Sequence, residues 1–183
     1  TTKDVAGFRA PYFAHSPGLY ATLAERGFRY DTSGTAPSYA WPEKRDGIWR
    51  FNLAGIKVAG SGRSTLSMDY NFLVAQSGVA PIAARREEFR KQMLDSYLAY
   101  FRANYAGNRA PIHIGHHFSD YQNGAYRDAL KSFARAVCGL PEVRCVTYKT
   151  LADFMDGLSE KQIADYRKGD FPRAPEPAFA ASE

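Results

Sequence analysis

Apolar residues recur along this chain in two rhythms, one near 3.6 residues and one near 2, and their alternation predicts helices interleaved with strands. Residues 5–13 read as a short strand running into a loop at Pro11. LYATLAER, residues 19–26, has helical spacing and stops at Gly27, a residue type that readily closes a helix. FRYD, residues 28–31, is short, aromatic and strand-like. The longest periodic segment is 87–104, where Phe89, Met93, Tyr97, Tyr100 and Phe101 fall on one helical face and mark it as buried. A strand is expected at 110–116, a helix at 124–137 with Tyr126, Leu130 and Phe133 on one side, and a further strand at 143–148. Residues 151–157 open another helix, continued by SEKQIADYRKG behind a Ser159 cap. This alternation predicts an α/β protein, built as a barrel or a layered sheet.

Between residues 32 and 79 the rhythm fades. The stretch is rich in Gly, Ser, Pro and Thr, with strand-like pieces only at 47–53 and 65–70, and reads as an excursion from a scaffold. FPRAPEPAFAASE, residues 171–183, reads as a loose tail, which leaves one domain over 1–170. Hydrophobic content of 45% is enough to build a core. No run of about 18 apolar residues is present to span a bilayer. The net charge of +5 is scattered, and Arg85 and Arg86 are the only adjacent arginines. Without a basic stripe interleaved with aromatics, nucleic acid is not an expected partner; attraction to an acidic envelope or cell-wall surface is the milder implication.

Cys138 and Cys145 bracket a turn containing Gly139 and Pro141. That turn can bring the two thiols within cross-linking range, and two free, buried thiols are the other reading. A disulfide is the expectation, and it implies an oxidising compartment, periplasmic or secreted.

Candidate chemistry concentrates in PIHIGHHF, residues 111–118, which holds three of the four histidines. If this segment is extended, Ile112, Ile114 and His116 share one face, and His113 and His117 the other. The last inward residue of a parallel barrel strand meets the active site, which makes His116 the candidate proton carrier. A one-residue shift of register would select His117 instead. Parity also prevents these three histidines from forming a zinc site among themselves. The plainer reading is a histidine hydrogen-bonded to a neighbour and nothing more.

GFRAPYF near the start and IHIGH about a hundred residues later, in that order, resemble the polysaccharide deacetylase family, the nodulation-type carbohydrate esterases. The resemblance covers roughly residues 5–156 and rests on an Arg-x-Pro-Tyr motif and an apolar-x-apolar-x-His motif. It implies a distorted (β/α) barrel and hydrolysis of N-acetyl groups from an amino-sugar polymer. It also implies that Arg9 orients a catalytic aspartate and that the Tyr12 backbone N–H stabilises the oxyanion. His116 would then protonate the departing amine. Pro11 would fix the turn that presents this N–H to substrate. Asp69, in LSMDYN, is a candidate groove wall and a partner for Arg9 or His116. Trp41 and Trp49 would offer flat faces to sugar rings or fill the core.

Two family motifs have no counterpart here: the Thr-Phe-Asp-Asp type, which carries the base, and the His-x-x-x-His type, which carries metal ligands. The expectation is therefore that this chain supplies the C-terminal portion of the barrel and binds no metal alone, while a divalent ion, zinc in the family, belongs to the complete protein. An incomplete barrel would expose a sheet edge and favour a partner, either the N-terminal part of the same protein or another copy. The alternative is a catalytically inactive, deacetylase-like domain that binds glycan or serves as a scaffold.

Overall fold

The computed structural model describes residues 5–14 and 16–173. Its strands are β1 (Gly7–Phe8), β2 (Tyr30–Asp31), β3 (Thr35–Pro37), β4 (Glu43–Arg45), β5 (Ile48–Arg50), β6 (Leu53–Lys57) and β7 (Ser64–Leu66). Its helices are α1 (Leu19–Glu25), α2 (Asp69–Ser77), α3 (Arg86–Ala106), α4 (Ala125–Val137), α5 (Tyr148–Asp156) and α6 (Glu160–Lys168). One sheet has the order β1-β2-β5-β4, parallel except for the β4–β5 hairpin; the other has the order β3-β6-β7, with β3 and β6 parallel. Backbone bonds from Phe51 N–H to Asp31 O and from Leu53 N–H to Gly34 O, both 2.9 Å, carry the parallel pairing across the gap between them. The two sheets thus behave as one ribbon bent at residues 32–34 and 51–52. The α/β class holds, while the described residues form small mixed sheets and no closed barrel.

Two apolar clusters flank the ribbon. The larger joins Phe89, Met93, Tyr97 and Phe101 of α3 to Tyr126, Phe133 and Val137 of α4, to Phe72 of α2 and to Ile56 of β6. The α3 face expected from periodicity is thus the buried one. The smaller cluster packs Trp41, Trp49 and Phe51 on Ala152 and Met155 of α5. The 32–79 stretch supplies β3 to β7 and α2, and feeds both clusters.

Three expectations change. The 110–116 segment joins no sheet, and only Gly115 pairs, as a parallel bridge with Met68. Side chains occupy its backbone instead: the Ser67 hydroxyl donates to His113 O at 2.6 Å, and His113 N–H reaches the Tyr100 hydroxyl at 3.4 Å. With its polar groups satisfied in this way, the segment needs no ladder. Residues 143–147 are likewise not a strand; Val146 stands half exposed with no strand beside it, and Thr147 caps α5 three residues earlier than expected. Finally, the strand-like reading of 65–70 conceals the start of α2, which begins at Asp69 and ends at Gly78 in the left-handed conformation (φ 57°).

The Cys138–Cys145 disulfide is closed across the turn after α4, with the Cα atoms 5.4 Å apart. No described helix is long and apolar enough to cross a membrane. Of the tail at 171–183, residues 174–183 lie outside the described residues.

Candidate functional site

The polar centre of the molecule lies where the end of β1, the start of α2 and the histidine segment meet. Arg9 follows β1 directly. It donates from Nε to Thr32 Oγ1 at 2.9 Å and from Nη2 to His113 Nε2 at 2.8 Å. Both acceptors are neutral, and among the described residues Arg9 has no carboxylate partner. His113 is 5% exposed, and burial together with the adjacent Arg9 charge pulls its pKa down to about 4. It therefore stays neutral at physiological pH and accepts from Arg9, which leaves its ring proton on Nδ1.

Beyond Arg9 the chain turns through Pro11–Phe13, held by Ala14 N–H on Pro11 O at 3.0 Å. Tyr12 (φ 54°) and Phe13 (φ 56°) both occupy the left-handed region, which costs backbone strain in non-glycine residues. Ala10 N–H donates to Ser33 Oγ at 2.7 Å, and Ser33 in turn donates to buried Asp31 at 2.7 Å, so the turn is anchored to β2. Tyr12 itself projects fully into solvent.

At the other end Asp69 opens α2 and is almost fully buried, yet both its oxygens are engaged. Oδ1 accepts from Tyr70 N–H at 2.7 Å and from His117 Nδ1 at 2.7 Å; Oδ2 accepts from His117 N–H at 2.8 Å. The position at the first turn of a helix suits a carboxylate. Gly115 locks the two segments together, because Asp69 N–H donates to Gly115 O at 3.1 Å and Gly115 N–H to Ser67 O at 2.9 Å. His117 keeps 48% of its side chain in solvent, with Nε2 the nitrogen not committed to Asp69.

The alternation expected along 112–117 is retained, but it sorts the histidines differently. Ile112 and Ile114 pack on the larger core, and His116 follows them, 13% exposed, with Nε2 3.1 Å from the Tyr97 hydroxyl. Its Nδ1 stands 4.0 Å from Asp69 Oδ2, and burial lowers its pKa. His113 contacts Arg9 directly, and Arg9 Nη1 lies 3.4 Å from where a Gly115 Cβ would sit. His113 and Gly115 therefore lie on the Arg9 side. His116 is mostly buried against Tyr97, and His117 is the more exposed of the two histidines that approach Asp69. Asp69 partners the histidines and not Arg9.

The two tryptophans do not offer faces to a ligand. Trp41 is buried against Tyr166 with its indole N–H on Asn108 O, and Trp49 is buried with its N–H on Asp156 Oδ1, both at 2.9 Å. Each satisfies its one polar atom inside the protein, as core tryptophans do. The exposed rings among the described residues include Tyr12, Tyr39, Tyr70, Phe118 and Phe154, and Tyr70 and Tyr121 both lie edge-on to His117. Sequence reasoning missed Phe118, although its place directly after the histidines was the available signal. Among the described residues no three His, Cys, Asp or Glu side chains converge into a metal site.

Comparison of the chain with protein-family models, with curated proteins and with solved structures finds no match.

Proposed function

We propose that this chain carries the arginine turn and the proton-transfer histidine of a polysaccharide deacetylase-type site, acting on N-acetyl groups of an amino-sugar polymer in the periplasm or outside the cell. The observation that carries the reading is two unusual groups at this polar centre. One is a guanidinium held, among the described residues, by neutral acceptors, and the other a half-exposed imidazole whose Nδ1–H is committed to a buried carboxylate.

In this reading Asp69 fixes the His117 tautomer and stabilises the imidazolium, so that Nε2–H can be delivered outward to the nitrogen of the breaking amide. Water adds to the carbonyl carbon, the C–N bond breaks, and the nitrogen leaves as an amine with the proton from His117. The strained turn would present the Tyr12 backbone N–H to the oxyanion. Arg9 would orient a carboxylate supplied by another segment. The free edge of β1 is the place where such a segment would add a strand and extend the sheet toward a barrel. The divalent metal of the family enters only as a group held by that segment, since the described side chains offer no ligand set for it.

The test compares His117→Asn with His116→Asn in the complete protein, reading acetate released from a chitin-type oligosaccharide. His117→Asn is expected to lower kcat by about 10²–10⁴-fold with the fold intact. His116→Asn should chiefly lower the melting temperature, because it disturbs Tyr97 in the core. The reverse ranking would return the acid role to His116. The exposed rings of Tyr12 and Phe118 favour one other reading, a glycan-binding domain without catalysis. Oligosaccharide binding with no acetate release, metal supplied, would establish it.

A further inference from the structure

Tyr148, the first residue of α5, stands behind the arginine centre with its ring fixed on three sides. It stacks on Phe51 at 5.7 Å and 19°, leans on Tyr30 at 5.7 Å and 45°, and meets the His113 ring edge-on at 5.0 Å. Thr147 caps the helix just ahead of it, its Oγ1 accepting from Thr150 N–H at 3.3 Å, which fixes where the chain delivers this ring. The Tyr148 hydroxyl is hydrogen-bonded to Arg9. Burial pushes the phenol pKa up, and the adjacent Arg9 charge offsets this only in part, so the hydroxyl stays neutral at physiological pH. Tyr148 is thus a third neutral group on Arg9, after Thr32 Oγ1 at 2.9 Å and His113 Nε2 at 2.8 Å.

We infer that Tyr148 is a positioning residue: its hydroxyl accepts from the Arg9 guanidinium and, with Thr32 and His113, sets the direction in which Arg9 faces the site. A guanidinium only donates, and each acceptor here is uncharged, so the cradle orients the cation and leaves its charge uncompensated. A carboxylate in place of any one of them would neutralise Arg9 where it sits. The N–H groups that the cradle does not use remain for an anionic partner, which the planar fork can hold bidentately. The inference rests on the deacetylase reading for what that partner is, a carboxylate from another segment; the cradle itself consists of contacts within this chain. A purely structural Tyr148 would need its ring and not its hydroxyl, since Phe51 and Tyr30 pack the ring.

Tyr148→Phe separates the two roles, because it keeps the ring and removes the acceptor. The readout is NMR of the isotope-labelled chain, in which a guanidinium held by several acceptors rotates slowly and shows separate Nη–H signals. In Tyr148→Phe the Arg9 Nη–H signals should merge, and Arg9 Nε–H should exchange with water about tenfold faster, the scale of one lost hydrogen bond to a charged group. Arg29 is the control, since it holds Asp153 and Asp156 of the same helix at 2.6 and 2.8 Å, and its signals should not change. Arg9 signals that remain separate overturn the inference. So does a parallel change at Arg29, which would mean that the variant only loosens α5. These signals are read without activity, so the inference and the deacetylase reading fail separately.

Discussion

His113 and His117 are the same side chain, four residues apart in one segment, and they have contrasting surroundings. His113 is shut away from water beside a guanidinium, and its pKa is held near 4. It works as a fixed neutral acceptor for Arg9. His117 is half in solvent with its Nδ1 on Asp69, which leaves Nε2 uncommitted to that carboxylate. Neighbouring charge and access to water, and not the run of histidines as such, set the two rings apart.

The most damaging way to attack this contrast is Asp69→Asn. The carboxylate accepts three hydrogen bonds, from Tyr70 N–H, His117 N–H and His117 Nδ1. An amide can keep acceptors for only part of that set, and it cannot stabilise an imidazolium. Acetate release is expected to fall by about 10²–10⁴-fold, as when a catalytic histidine loses the carboxylate that sets its tautomer. Circular dichroism should show α2 retained. Activity within a factor of about two of the unaltered protein would mean that Asp69 is only a helix-start carboxylate.

The buried histidine can be tested through pH. Its pKa is 6.5 when unfolded and about 4 when folded, so the unfolded chain binds the proton more readily. Stability is full above about pH 6.5 and falls as pH drops through the folded value, by up to about 3 kcal/mol. His113→Gln should flatten urea-unfolding free energies across that window. Asp156 does not obscure the result. Burial alone would raise its pKa, but hydrogen bonds from Lys44, Arg29 and Trp49 outweigh this and bring it from 3.8 to about 2, so its contribution is lost as pH falls between those two values, below the His113 window. An equal slope in His113→Gln would assign the acid sensitivity elsewhere.

Every helix but α2, and the residue types of the site, were legible in the sequence; their facing was not. Periodicity located α1, α3 and α4 because a helix repeats its buried face within one segment. It misread residues 110–116 because alternation also occurs in an extended segment whose backbone is satisfied by Ser67 and Tyr100, residues remote in the chain. Alternation grouped Ile112, Ile114 and His116, and all three pack toward the larger cluster. Which set meets Arg9 depends on where α3 and β1 lie, and no local pattern encodes that. Trp41 and Trp49 were equally opaque, since the acceptors that let them be buried come from Asn108 and Asp156.

The smallest effect is the most discriminating one, because it touches the joint between the two histidines. A Cβ on Gly115 would lie 3.2 Å from Met68 Cγ and 3.4 Å from both Arg9 Nη1 and Leu53 Cδ2. All three are side-chain atoms, so Gly115→Ala should fold at a cost of about 1–2 kcal/mol near neutral pH. Of the three neighbours, Arg9 sits at the solvent side and yields most easily. If the guanidinium is displaced, His113 loses the positive charge that helps depress its pKa, and its folded value rises toward that of the unfolded chain. The variant's deficit relative to the unaltered protein should then shrink as pH falls from 7 toward 4.5. A deficit constant with pH would place the strain on Met68 and Leu53 alone, with Arg9 and His113 still in contact.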